Sequence, residues 1–179
     1  ACSTSRTAGT AGCQARIHVS GSMPETYKTR RMPGAEDRSM VDELVRFPTR
    51  IALVLRDDLE PWQTVNVAAF LSSGIAADVT LFGDPYADAD GTEYLAMLGQ
   101  PVMVMQGDVE TLRAVRAKAV AREIRVAVYV KGMFATGHDA ANREVVAASA
   151  GADLDLVGVA IHGPKNVVDR ILKGVPRHR

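Results

Sequence analysis

His138 stands beside Asp139 in the stretch KGMFATGHDAANR at residues 131–143, the only histidine of the four set in a glycine-bearing loop of this kind. Imidazole titrates near neutrality, so His138 is the first candidate for a general base or acid. The plainer alternative is that it bonds the backbone and shapes its loop. Asp58 is the candidate partner that orients His138 or shares its proton. It lies in RDDLEPWQ at residues 56–63, where Arg56, Asp57, Asp58 and Glu60 crowd together. Arg56, Lys131 and Arg143 form a possible cradle for a carboxylate or phosphate. Equally, Arg56 and Arg143 neutralise Asp57, Asp58 or Asp139 in structural ion pairs. Gln63, Asn66, Phe70 and Ser73 recur at the spacing of one helical stripe, mixing amide, ring and hydroxyl where a solvent face carries Lys and Glu. The expected binding set is therefore Arg56, Asp57, Gln63, Asn66, Ser73, Thr136, Asn142 and Arg143, with His138 and Asp58 as the catalytic pair.

Other chemistries lack their residues. Ser72 and Ser73 have no GxSxG elbow around them, and neither GxGxxG nor GxxxxGK[ST] occurs, so no nucleotide cradle is indicated. No second histidine lies at ligand spacing and HExxH is missing, so neither a metal nor a cofactor is expected. Asp84, Asp88, Asp90 and Glu93 suggest a calcium loop, but with Gly91 as the sixth residue the first is Tyr86 and the twelfth Met97, neither a ligand. That segment reads as a solvated, turn-rich loop anchored by Tyr86 and Tyr94, long enough to serve as a lid. Cys2 and Cys13, the only cysteines, precede the region that looks folded, which removes thiol chemistry from it.

The elements that must position these groups follow from pattern. Ile51 to Leu55 is an unbroken apolar run, as in a strand covered on both faces. Glu60 and Pro61 then open a helix whose Val67, Leu71 and Ile75 share one face. Residues 101–105 and 126–130 read as strands flanking a helix, a right-handed crossover. Asp139 caps a helix with Ala141, Val145 and Ala148 inward, residues 154–161 form a fourth strand, and Gly163-Pro164 opens a last helix that Gly174 ends. The loops after the first and third strands should meet at one sheet edge, where α/β proteins bind ligands.

Composition sets the frame. The 179 residues are 47% hydrophobic with zero net charge, enough for one core. Residues 50–179 carry fourteen Lys and Arg against sixteen Asp and Glu, a net of −2, which disfavours a nucleic-acid partner. Residues 1–47 are rich in Ser, Thr, Gly, Ala and Arg without period, and read as a flexible or non-native extension to a single α/β domain at 48–179. No apolar run reaches membrane-spanning length and no signal segment is visible, so a cytoplasmic protein is expected.

RDDLEPWQTVNVAAFLSSGIAA, PYADADGTEY, MFATGHDAANR and LDLVGVAIHG together resemble a bacterial family of domains of unknown function, DUF2000, over about residues 50–178. That family is similar in fold to peptidyl-tRNA hydrolase type II. The resemblance implies a three-layer α/β/α sandwich with a mixed, mostly parallel sheet of about four strands, often dimeric. The hydrolase's helical Lys, Gln and His would fall at Asn66, Phe70 and Ser73, and its Asp near Lys131-Gly132; none is kept. The expected function is binding, with hydrolysis or rearrangement as the chemistry open to it, of a small polar or anionic molecule by a homodimer. An RNA-linked hydrolase and a non-catalytic dimeric interaction module are the alternatives.

Overall fold

The computed structural model describes residues 46–178; the expectation for residues 1–47 lies almost wholly outside them. Strand β1 (Thr49–Arg56) is followed by helix α1 (Pro61–Ala76), a short 3-10 turn (Val79–Leu81) and a small hairpin of β2 (Tyr86–Ala87) and β3 (Glu93–Tyr94). Then come β4 (Val102–Gly107), α2 (Val109–Val120), β5 (Arg125–Val130), a 3-10 turn (Lys131–Ala135), α3 (Asp139–Ala147), β6 (Leu156–Pro164) and α4 (Lys165–Ile171). Over the described residues the result is a mixed α/β fold with a four-stranded sheet, a two-stranded hairpin and four α-helices.

The sheet order is β4-β1-β6-β5. β1 runs parallel to β4, while β6 runs antiparallel to both β1 and β5. The expectation of a mostly parallel sheet is therefore corrected: one of the three pairings is parallel. The apolar runs of β1 and β6 report burial on both faces, and burial carries no information about strand direction. The crossover through α2 spans the sheet, because β4 and β5 lie at opposite edges with β1 and β6 between them.

Side chains of β1 alternate between two apolar clusters, as the two-residue repeat of a strand demands. Ile51, Leu53 and Leu55 pack with Val67, Leu71 and Ile75 of α1. Ala52 and Val54 join Leu112, Val115 and Ala119 of α2 and Val168 and Ile171 of α4. The predicted inner face of α1 is thus the buried one, and each of its three residues contributes up to about 1.5–3 kcal/mol by leaving water. Gly158 in β6 sets how close α1 can come. A Cβ there would lie 2.4 Å from Val67 Cγ1 and 2.8 Å from Leu71 Cδ1, so only glycine lets the helix rest on the sheet at this distance.

The acidic loop is the solvated turn the spacing suggested, and the chemistry of Asp88 explains it. One of its oxygens accepts the backbone N–H groups of Asp90 (3.0 Å) and Thr92 (2.9 Å), and the other accepts the Tyr94 hydroxyl at 2.7 Å. These bonds, the Tyr94 hydroxyl first, hold the Asp88 carboxyl below its ordinary pKa. The carboxylate ties the hairpin.

Candidate functional site

β5 is an edge strand, and a register shift between Tyr129 and Val130 interrupts its pairing with β6. Such bulges re-aim a strand's end. Here the chain turns through residues 131–135 into α3, leaving a cleft of about 690 Å³ between α1, β5 and residues 133–147.

One wall is aromatic. Trp62 meets Phe134 edge-on with ring centroids 5.6 Å apart, Phe134 tilts against Tyr129 at 5.2 Å, and Tyr129 meets Phe70 edge-on at 5.7 Å. All four line the cleft. Trp62 and Phe70 are nevertheless 61% and 52% exposed. Tyr129 is buried, which raises its phenol above the ordinary pKa, and its hydroxyl donates to Asn66 Oδ1 at 3.2 Å.

The other wall is polar. His138 is the N-cap of α3, its Nδ1 accepting the backbone N–H of Ala141 at 3.2 Å. Because that lone pair is engaged, the hydrogen of the neutral ring sits on Nε2. Capped in this way, His138 is a donor. Acting as a base through Nε2 requires the other tautomer, and protonating Nδ1 sets two N–H groups against each other, so either step breaks the cap. The loop-shaping alternative is the one the geometry displays. The Thr136 hydroxyl contacts Asn142 Oδ1 and lies 2.8 Å from the Met133 carbonyl oxygen, and Arg143 pairs with Asp139 one turn along α3.

Of the expected site residues, the cleft gathers Asn66, Thr136, His138, Asn142 and Arg143, with Phe70 from the same stripe. The remainder are employed elsewhere. Asp58, Asp57 and Arg56 do not line it. Arg56, whose side chain is only 11% exposed, donates to Asp58 at 2.5 Å and to Asp155 at 2.8 Å, and also reaches the Leu156 carbonyl at 3.4 Å. Asp155 in turn accepts the Lys131 N–H on its backbone oxygen at 2.9 Å. The loops after β1 and β5 are thus bridged by Asp155, which precedes β6: its carboxylate accepts from Arg56 and its backbone oxygen from Lys131, and His138 and Asp58 take no part in the link. Gln63 accepts the Glu60 N–H at 3.0 Å as part of the α1 cap, and Ser73 donates to the Phe70 carbonyl at 2.7 Å. Asp57 is exposed, its N–H bonded to the Gly107 carbonyl at 3.1 Å.

Sequence reasoning passed over Tyr129 and the role of Trp62 as wall residues, and Gly158 as the seat of α1. Aromatic composition was the available signal. The chain has nine aromatic residues, and four of them, drawn from α1, β5 and the turn after it, converge here.

The class defined by this geometry is an α/β domain with a mixed four-stranded sheet and an aromatic cleft beside its open edge. Residues 49–179 match the family model described as "Protein of unknown function (DUF2000)", and the chain belongs to that family. It is also similar to a solved structure of a protein of unknown function from Agrobacterium tumefaciens, 43% identical with a TM-score of 0.73, the match covering 75% of this chain and 100% of that one. No curated protein matches. Among the described residues, no helix is long and apolar enough to cross a membrane, and no group of three or more His, Cys, Asp or Glu is placed to hold a metal ion.

Proposed function

We propose that this chain is a small-molecule-binding domain whose site is the cleft between α1, β5 and α3. The observation that carries the reading is the pair of half-exposed rings, Trp62 and Phe70, kept at the wall of a 690 Å³ cleft opposite Thr136, His138 and Asn142. Binding sites combine apolar and aromatic lining with a few placed polar groups in this way. Binding rather than bond cleavage is favoured, since His138 is spent as a cap and Asp58 as a partner of Arg56. Hydrolysis or rearrangement in this site would have to use Asp139 or a freed His138.

The same reading includes a three-layer α/β/α sandwich of the peptidyl-tRNA hydrolase II kind. The two apolar clusters, one with α1 and the other with α2 and α4, support the layering. They do not transfer the hydrolase's chemistry, because function resides in the site and not in the fold. A homodimer is supported by the unpaired edge of β5. The test uses Trp62, the sole tryptophan. Mass spectrometry should find a small molecule co-purifying with the native chain, and its removal and return should change Trp62 fluorescence reversibly. A preparation with no bound molecule, whose Trp62 emission responds to no member of a broad metabolite panel, refutes the reading.

A further inference from the structure

Resting on the cleft reading above, we infer that the ligand is a planar aromatic carboxylate, its ring held among Trp62, Phe70, Tyr129 and Phe134 and its carboxylate at the start of α3. The ring is specified by the wall. The four side chains form one chain of ring contacts, two edge-to-face and one tilted, with centroids 5.2–5.7 Å apart, and a fifth ring extends the same series. The exposure of Trp62 and Phe70 leaves apolar surface in water that such a ring would cover.

The carboxylate is specified by the polar end, where the groups available to a ligand are donors. His138 has Nδ1 committed to the Ala141 N–H, so the neutral, capping ring presents Nε2–H as a donor. Asn66 has Oδ1 committed to the Tyr129 hydroxyl, which leaves its amide N–H groups. Arg143 presents a five-donor guanidinium with one contact to Asp139. Of the first amides of the nine-residue α3, those of Ala141 and Asn142 are taken by His138, and those of Asp139 and Ala140 add to the same field. Asp139 is the one carboxylate on this wall, and it is already paired with Arg143. A ligand bearing donors alone would find little to bind at this end, whereas a carboxylate meets several N–H groups at once.

Three probes separate the parts of the inference: phenylacetate carries ring and carboxylate, benzyl alcohol the ring alone, and cyclohexylacetate the carboxylate alone. They are titrated into the full chain stripped of co-purifying molecules, and followed by amide and indole N–H chemical shifts. Phenylacetate should shift the single Trp62 indole signal and the amides of residues 137–143 together. Benzyl alcohol should bind about tenfold more weakly, and cyclohexylacetate about threefold more weakly. Arg143→Gln should weaken phenylacetate and leave benzyl alcohol unchanged. Equal binding of phenylacetate and either partial probe overturns the inference. So does failure of phenylacetate while an unrelated molecule, such as the co-purifying one, moves the same signals; in that case the cleft reading stands and only the ligand class falls. If neither phenylacetate nor the panel moves them, both fall. Shifts of these signals with protein concentration alone would place a second copy in the cleft and also overturn it.

Discussion

Gly158→Ala tests the link between packing and the cleft wall. The added methyl carbon would sit 2.4 Å from Val67 Cγ1, 2.8 Å from Leu71 Cδ1 and 3.5 Å from Leu55 Cδ2. Carbon atoms rest at about 3.5–4.0 Å, so Val67 must retreat by roughly 1 Å while both it and Gly158 are buried. Overpacking of this kind costs about 1–3 kcal/mol, a large part of the roughly 5–15 kcal/mol that holds a domain folded. The strain falls on α1 at the turn that carries Asn66 and Phe70, so the aromatic wall should move with it. Urea unfolding should show a lower midpoint at unchanged slope, and Trp62 emission should change in the folded state. Val67→Ala on its own removes two buried methyl groups and should cost about 1.5 kcal/mol or more. In the Gly158→Ala background it should cost less, because it makes room for the new methyl, giving a coupling of about 1 kcal/mol. Strict additivity of the two substitutions, or an unshifted midpoint for Gly158→Ala, would refute the view that α1 rests on this glycine.

Three further outcomes follow from particular contacts. His162 has Nε2 buried without a partner, and desolvation first, with Arg125 nearby, lowers its pKa below 6.5 against the opposing pull of Asp78. The unfolded chain therefore takes up the proton first, and stability should be intact above about pH 6.5 and fall as pH drops below it; in His162→Gln, urea midpoints between about pH 7.5 and 5.5 should lose that component, and an unchanged slope would exclude His162 as its source. Arg56→Met should cost about 1–2 kcal/mol by calorimetry, discounted because Asp58 and Asp155 are 63% and 55% exposed, while Asp58→Asn should cost less than about 1 kcal/mol; equal losses would show that Asp58 has a further role. His138→Ala should cost about 1 kcal/mol through the lost cap of α3, and His138→Asn or His138→Ser should restore most of it. Unless the replacement caps recover stability in thermal unfolding, the structural role assigned to His138 is wrong.

Local chemistry was readable where it depended on near neighbours. The apolar run at residues 51–55, the buried stripe Val67, Leu71 and Ile75, the cap at Glu60, and the stop at Gly174 with φ of 87° are short-range decisions made by periodicity and backbone preference, although α3 is capped by His138 and not by the expected Asp139. Half of the polar stripe on α1 was legible for the same reason: Asn66 and Phe70 reach the cleft, whereas Gln63 and Ser73 turn back to their own helix.

Strand direction, strand order and the partners of each charged group depend on contacts between residues far apart in the chain, and these the tertiary structure alone decides. β6 enters antiparallel between β1 and β5, which sets Asp155 between the two loops and gives Arg56 two carboxylates that lie outside the cleft. Periodicity cannot foresee this, because an apolar strand reads the same in either direction. The sequence by itself determined where the longer elements form and which face α1 buries, since the hydrophobic effect acts on pattern, whereas α3 buries no residue and Ala148, expected inward, is exposed. Only the tertiary structure decided that Trp62, Phe70, Tyr129 and Phe134, up to 72 positions apart, stand as one wall beside an open sheet edge. That convergence depends on the glycine beneath α1 and the bulge at the end of β5, and each takes its meaning from the neighbour brought against it.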